Sequence, residues 1–169
     1  MNRSIDYCWM PSPLGDMLLV GNGDALTGIY FGDQKYRPEI DFRWNESESK
    51  PLRLARQQLD QYFAGRREHF ELPLEPRGTP FQRAIWDAIT QVHWGATSTY
   101  ADLAKRIGRA GCARAAGAAT GRNPLSIVVP CHRIVGAGGA LTGYAGGLDR
   151  KRALLALERG EVRELRRAA

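Results

Sequence analysis

The chain has 169 residues, enough for one large domain or two small ones, and its formal net charge is +6. It shows no apolar run typical of a signal peptide and no stretch of membrane length, so we predict a cytoplasmic protein without a membrane partner. Three cysteines, Cys8, Cys112 and Cys131, are odd in number and far apart, which argues against a disulfide framework. No cysteine or histidine spacing predicts a metal site or another cofactor.

The charge is distributed unevenly along the chain. Residues 1–77 carry 10 Lys and Arg against 12 Asp and Glu, a net charge of −2, whereas residues 78–169 carry 14 against 6, a net charge of +8. A basic half often faces a polyanion, although basic surfaces also serve only solubility. We therefore expect the C-terminal half to contact nucleic acid, and charge alone leaves both explanations open.

The first thirty residues predict a small antiparallel sheet. Apolar stretches of strand length alternate with short segments rich in Pro, Gly and Asn, a pattern typical of hairpins. No residue type or spacing in this part of the chain indicates chemistry. The predicted strands cover residues 7–10, 17–20 and 26–31.

One helix follows the predicted sheet. Residues 33–50 are polar and irregular, and from Pro51 apolar residues recur at helical spacing until Gly65 ends the helix. Residues 72–78 have the composition of a linker. We therefore predict a support domain over residues 1–77.

The C-terminal half, residues 78–169, begins with a helix-turn-helix pattern. Thr79 has the features of a helix cap, with proline at the first helical position and glutamine three residues after the cap. A second helix starts at Thr99 and ends at Gly108, and a third covers residues 112–119. Two helices joined by a short glycine-containing turn form a common DNA-binding unit and also a common structural one.

The third predicted helix is rich in alanine and glycine. A helix that contacts base edges in the major groove needs long polar side chains, whereas this one offers only Arg114 among small residues. Small residues allow a close approach to DNA, and single arginines suit the minor groove. We predict DNA binding with little sequence preference, and a well-packed core helix is the alternative.

Three β-branched apolar residues and a proline precede the row formed by Cys131, His132 and Arg133. We predict a buried strand over residues 127–129 that ends beside a reactive thiol, because neighbouring positive charge lowers the pKa of a cysteine. The alternative is that Cys131 is an inert core residue.

A glycine-rich loop follows the cysteine. Residues 142–147 hold three glycines and one aromatic residue, Tyr144. The loop does not follow a strand in a βαβ unit, so we do not predict a phosphate site. This composition is more typical of a mobile loop that forms one wall of a pocket for a flat ligand.

The last predicted helix begins near Asp149 and carries Glu158 on the same face as its leucines. A buried glutamate needs a cationic or proton-donating partner. His132 is the candidate whose chemistry fits this requirement best. The alternative is an exposed glutamate that pairs with Arg159 or Arg163.

Together these motifs resemble one family, the 6-O-alkylguanine–DNA alkyltransferases, also called methylated-DNA–protein-cysteine methyltransferases. The resemblance is dense over residues 79–159 and loose over the first half of the chain. It is carried, in family order and spacing, by the Pro-Cys-His-Arg segment at residues 130–133 and by residues 81–86, 99–104, 113–117, 123–124, 143–147 and 150–158.

This resemblance implies an α/β (α+β) fold, with a small antiparallel-sheet N-terminal domain and a mostly helical C-terminal domain. The latter would contain a helix-turn-helix, winged-helix-like DNA-binding unit. The implied reaction is the irreversible transfer of an alkyl group from the guanine 6-oxygen to a cysteine, once per protein molecule and without a cofactor. The implied partner is double-stranded DNA carrying alkylated guanine, bound through the minor groove by a monomer. The sequence leaves cooperative binding along DNA open.

The resemblance also implies residue roles, by position in the family motifs. Cys131 is the nucleophile, His132 is the base that activates it through a water molecule, and Glu158 orients His132. Asn123 braces the site, and Tyr100 lies near the target phosphate and guanine N3. The implied DNA-binding residues are Arg114, which replaces the extruded base, and Thr99, Ala113, Ala115, Gly117 and Arg122. The implied base pocket consists of Tyr144, Ala145, Gly146 and Val135.

Two positions depart from the family pattern. Many members have serine where Ala145 stands, and we expect function to survive because the oxygen contact there would come from the backbone. Many have alanine where Cys112 stands, and the role of this second thiol is left open.

Two other functions compete with the transfer reaction. A lesion-binding module is disfavoured by the presence of Cys131, and a cysteine hydrolase leaves the basic helix-turn-helix unexplained.

Overall fold

The computed structural model describes residues 4–167. The elements of the N-terminal half are β1 (Asp6–Met10), β2 (Met17–Gly21), β3 (Leu26–Phe31), β4 (Asn45–Glu46) and α1 (Lys50–Phe63). The elements of the C-terminal half are α2 (Pro80–Thr90), β5 (Ser98–Thr99), α3 (Tyr100–Arg106), α4 (Ala113–Gly121), β6 (Ile134–Val135) and α5 (Leu148–Glu158). Single turns of 3-10 helix cover Cys131–Arg133 and Ala137–Gly139. The predicted α/β (α+β) fold class is confirmed.

The larger sheet has the strand order β3-β2-β1-β4. Its first three strands are antiparallel neighbours, and the two residues of β4 pair with β1 in parallel. Every residue of β2 is buried. This strand lies between β1 and β3, and α1, whose buried residues include Leu52, Ala55 and Leu59, packs against it. The predicted strands and helix are confirmed, and β4 lies in the segment that the sequence indicated as irregular.

Two helices of the C-terminal half begin with a capping box. The Thr79 side chain accepts a hydrogen bond from the backbone N–H group of Gln82 at 3.2 Å, and Thr99 accepts one from Asp102 at 3.1 Å. Each cap satisfies backbone donors that have no partner inside the helix. The two threonines therefore fix where α2 and α3 start.

α3 and α4 pack against each other across a turn that contains Gly111. This glycine has a φ of +89°, a left-handed conformation that side chains disfavour. The helix after the turn is longer than the sequence indicated. α4 includes Gly121 and ends before the Asn-Pro pair at residues 123–124, since proline cannot continue a helix.

The predicted strand over residues 127–129 is wrong, because this segment is a tight turn. Ile127 has a left-handed φ of +73°, and the Val129 N–H group donates to the Leu125 carbonyl oxygen at 2.9 Å. Both apolar side chains are still buried. Burial without a strand ladder is possible because the turn satisfies its own backbone groups.

The apolar core is continuous and takes residues from both halves, including Leu19, Leu59, Ile85 and Ile134. The division of the chain into domains of residues 1–77 and 78–169 stays a prediction. After α5 the chain returns to α1, where the Leu165 N–H group donates to the Phe63 carbonyl oxygen at 2.7 Å. The sequence leaves open whether residues 160–169 are ordered, and the last two of them lie outside the described residues. Among the helices described, none has the length and apolar character needed to cross a membrane.

Candidate active site

Cys131 follows the tight turn directly and is 6% exposed. The side-chain amide of Asn123 lies beside its sulfur, with Nδ2 at 3.1 Å from Sγ. The same nitrogen donates to the Val129 carbonyl oxygen at 2.8 Å, and Asn123 Oδ1 accepts from the Leu125 N–H group at 2.9 Å. Asn123 therefore holds both sides of the turn and the thiol in one network.

Opposing effects act on the thiol. Burial raises the pKa of Cys131, while the hydrogen bond from Asn123 and the charge of Lys151 lower it by less. Cys131 is therefore a neutral thiol near neutral pH and needs a base to become a nucleophile.

Lys151 is itself fully buried, and its ammonium group is bound by carbonyl oxygens. Lys151 Nζ donates to the carbonyl oxygens of Ile134, Thr142 and Gly143, at 2.5, 3.1 and 3.2 Å. Burial lowers the pKa of Lys151. Because three carbonyl groups converge on it, this side chain joins β6 to the glycine-rich loop.

His132 is completely buried beside Glu158. Its Nε2 lies 2.6 Å from Glu158 Oε1, and its Nδ1 has no hydrogen-bond partner among the described residues. Burial lowers the pKa of His132 more than the Glu158 carboxylate raises it. The ring is therefore neutral near neutral pH, with Nε2–H donated to Glu158 and Nδ1 able to accept a proton.

Glu158 ends α5 and is 3% exposed, so the alternative of an exposed glutamate is excluded. Besides His132 it binds Arg133, whose Nε donates to Oε2 at 2.8 Å and whose Nη2 donates to Oε1 at 3.0 Å. The Tyr62 hydroxyl group donates to Oε1 at 2.7 Å. Burial alone would raise the pKa of Glu158, but His132 and Arg133 hold it at about 2.

Sequence reasoning missed two residues of this cluster, Arg133 and Tyr62. Arg133 was singled out only for its charge next to Cys131, whereas its guanidinium group makes a bidentate pair with a buried carboxylate. Tyr62 lies in the helix that the sequence predicts after Pro51, in the half without apparent chemistry. The usable signal was its hydroxyl group, because a buried tyrosine normally finds a hydrogen-bond partner.

A cavity of about 340 Å³ opens above Cys131. Of the four pocket residues that the sequence suggested, Tyr144 and Ala145 line it. Val135 and Gly146 do not, since Val135 is paired with Thr99 in the two-stranded sheet and the Gly146 carbonyl accepts from Arg150. The complete lining is Lys35, Tyr36, Gly117, Ala118, Thr120, Gly121, Cys131, Gly143, Tyr144 and Ala145.

The helix predicted to bind DNA borders this cavity. Arg114 and Ala115 are exposed on α4, and Ala113 and Gly117 are half-buried. Arg122 follows the helix, with its guanidinium carbon 3.6 Å from the centre of the Tyr36 ring. The Tyr100 hydroxyl group donates to the Thr142 carbonyl oxygen at 3.0 Å and so links α3 to the glycine-rich loop.

Comparisons with known proteins match both halves of the chain to one family. The model "6-O-methylguanine DNA methyltransferase, ribonuclease-like domain" matches residues 5–76, and the model "6-O-methylguanine DNA methyltransferase, DNA binding domain" matches residues 80–160. A methylated-DNA–protein-cysteine methyltransferase of Mycolicibacterium paratuberculosis is 46% identical over 155 residues, which are 92% of this chain and 93% of that protein. One of Methanosarcina acetivorans is 45% identical, covering 90% of this chain and 97% of that protein.

Solved structures give the same result. Mycobacterium tuberculosis OGT in complex with DNA superposes with a TM-score of 0.85 and is 42% identical, covering 92% of this chain and 93% of that one. The O6-methylguanine-DNA methyltransferase of Pyrococcus kodakaraensis, at 22% identity and a TM-score of 0.51, shares the fold. Among the described residues, no group of three His, Cys, Asp or Glu side chains could hold a metal ion.

Proposed function

The chain belongs to the 6-O-methylguanine DNA methyltransferase family, and we propose that it repairs DNA by moving an alkyl group from the 6-oxygen of guanine to Cys131. The transfer is direct and irreversible and happens once per molecule, because the product is a thioether on the protein itself. The observation that supports the assignment of residues is the buried cluster of Asn123, Cys131, His132 and Glu158, of which Cys131 lines the cavity.

The chemistry of the step follows from this cluster. The sulfur of Cys131 forms a bond to the alkyl carbon, the bond from that carbon to the guanine 6-oxygen breaks, and its electron pair stays with the guanine. The thiol proton passes through a water molecule to His132 Nδ1, the ring nitrogen that has no hydrogen-bond partner within residues 4–167. Glu158 stabilises the imidazolium that forms.

The departing guanine must gain a proton. Tyr100 carries a hydroxyl group at the side of the glycine-rich loop, and we assign it the position beside guanine N3. Tyr144 and Ala145 line the pocket that receives the extruded base. The proton that His132 took from the thiol returns through water and completes the N1–H group of the released guanine, so no net charge is left on the protein or on the base.

The proposed partner is double-stranded DNA, bound through the minor groove by α4 of a monomer in the cytoplasm. The exposed Arg114 fills the space that the extruded base leaves, and Arg122 and Thr99 contact the backbone. Ala113, Ala115 and Gly117 allow close approach without base-specific contacts. Binding should weaken with increasing salt, since phosphate contacts release counterions.

The lesion-binding alternative is not favoured, because the chain has the cysteine that transfer requires and its relatives are named methyltransferases. The hydrolase alternative predicts many turnovers. Neither alternative accounts for both the buried cluster around Glu158 and the basic half that contains the helix-turn-helix.

The test is the intact mass of the protein after incubation with excess duplex carrying 6-O-methylguanine, followed by peptide mapping. We expect one added methyl group, on Cys131, and no further reaction. Cys131→Ser should abolish the addition and keep DNA binding, and Cys112→Ser should behave like the wild type. An unmodified protein that still binds the lesion would contradict the proposal.

A further inference from the structure

The N-terminal half contributes two side chains to the cavity above Cys131. Lys35 and Tyr36 lie in the loop between β3 and β4, and both line this cavity. Tyr36 is 49% exposed, whereas Cys131 is almost completely buried. The thiol therefore lies at the floor of the cavity and the tyrosine at its rim.

Hydrogen bonds fix the loop in this place. The Lys35 N–H group donates to the Ala145 carbonyl oxygen at 3.1 Å, so the loop is bonded to the wall of the base pocket. The Gln34 side-chain oxygen accepts from the Phe31 N–H group at 3.1 Å and from Ser126 Oγ at 2.8 Å. These bonds connect the loop to β3 on one side and to the turn before Cys131 on the other.

The Tyr36 ring also has a defined orientation. The Arg122 guanidinium carbon lies 3.6 Å from the ring centre, which is a stacking distance, and Lys35 Nζ lies 5.0 Å from it. The backbone φ of Tyr36 is +65°, a left-handed value uncommon for a bulky residue. Such conformations persist where the surroundings impose them, and they cluster at ligand sites.

We infer that Tyr36, oriented by Arg122, is a specificity-determining residue whose ring forms the outer wall of the cavity and contacts alkyl groups larger than methyl. This inference rests on the proposed transfer to Cys131. A methyl group within reach of the sulfur stays at the floor of the cavity. A benzyl group at the same position extends towards the rim, where its ring can pack against an aromatic neighbour.

The test compares single-turnover transfer rates for three substrates: 6-O-methylguanine in a duplex, 6-O-benzylguanine in the same duplex, and free benzylguanine. Tyr36→Ala should slow both benzyl reactions about three- to tenfold, the loss of one aromatic contact, and should change methyl transfer less than about twofold. Tyr36→Phe keeps the ring and should keep all three rates. Phe42→Ala is the matched control, since Phe42 is a 94% exposed aromatic residue of the same half.

Equal losses for methyl and benzyl, or an unchanged benzyl rate in Tyr36→Ala, would overturn the inference. So would a loss confined to duplex substrates and accompanied by weaker duplex binding, because the ring would then contact DNA rather than the adduct. Should Tyr36→Ala not fold, Tyr36→Leu removes the ring at similar volume and carries the same expectations. A wild-type protein without methyl transfer would instead overturn the proposed function.

Discussion

The Tyr62 hydroxyl group donates a hydrogen bond of 2.7 Å to Glu158, a residue 96 positions later in the chain. Tyr62 belongs to α1 of the N-terminal half, and its ring packs edge-on against Trp94 and Phe63. The pair of His132 and Glu158 in the C-terminal half is therefore held from outside that half. We therefore expect Tyr62 to position His132 and Glu158 without contacting the reacting atoms itself.

Tyr62→Phe should slow methyl transfer about fivefold, equivalent to about 1 kcal/mol in the barrier, and lower the free energy of unfolding by about 2 kcal/mol. The reason is that Glu158 loses one donor and gains freedom to rotate, while His132 and Arg133 still hold it. Single-turnover kinetics and urea unfolding measure the two effects. Tyr30→Phe removes a hydroxyl group away from the relay and should leave the rate unchanged. A wild-type rate in Tyr62→Phe would show that the hydroxyl group does not position Glu158.

Glu158 should make the fold sensitive to acid. The pKa of Glu158 in the folded protein is about 2, below the usual 4.5. The ionised carboxylate therefore stabilises the fold at any pH above 4.5, and this contribution is lost as the pH falls from 4.5 to 2. Urea unfolding at a series of pH values should show the decline in the wild type. Glu158→Gln should be less stable at neutral pH and flatter over this range, and parallel curves for the two proteins would contradict the prediction.

Asn123→Asp tests the amide beside the sulfur. The substitution keeps the shape but replaces a donor 3.1 Å from Sγ by a carboxylate, which disfavours the thiolate and raises the pKa of Cys131 further. Transfer should slow at least about tenfold, the equivalent of one pKa unit. The rate should recover in part as the pH rises, because the thiolate then forms without help. Asn123→Ala also removes the donor but adds no charge, so it should slow transfer less. If Asn123→Ala slows transfer as much as Asn123→Asp, and neither rate recovers at high pH, then Asn123 serves only the folding of the turn.

Arg114→Ala separates base extrusion from chemistry. Arg114 is exposed on α4, away from the buried relay. The substitution should slow repair of 6-O-methylguanine in a duplex about tenfold or more, since a flipped base costs a few kcal/mol to hold out of the stack. Reaction with free benzylguanine should stay at the wild-type rate. Arg109→Ala, which removes another arginine near the start of α4, is the control, and equal losses on both substrates would rule out the role in extrusion.

The contact between His132 and Glu158 could be predicted because helical periodicity places Glu158 on a buried face and a buried carboxylate needs a partner. The helix-turn-helix could be predicted for a similar reason, since threonine caps and apolar spacing are local signals. The family resemblance then supplied the roles of Cys131 and Asn123, which spacing alone did not.

Other parts could not be predicted, because their causes are distant in sequence. The apolar run over residues 127–129 has strand composition, yet Asn123 bonds its backbone into a turn. Tyr36 lies in a polar segment without periodicity, and only tertiary structure brings it to the cavity. Tyr62 has the sequence pattern of an ordinary core residue, and no neighbouring residue in the sequence indicates that its hydroxyl group donates a hydrogen bond to Glu158.

The spread of the relay along the chain has a consequence for protein synthesis. Tyr62 is made first, Cys131 and His132 follow, and Glu158 is made last, so a growing chain contains the thiol before it contains the carboxylate that we propose orients His132. During translation Cys131 therefore lacks the partners that we propose activate it. With the proposed relay, the capacity to accept an alkyl group arises only when α5 docks beside α1, so the ability to react would be a marker of completed folding.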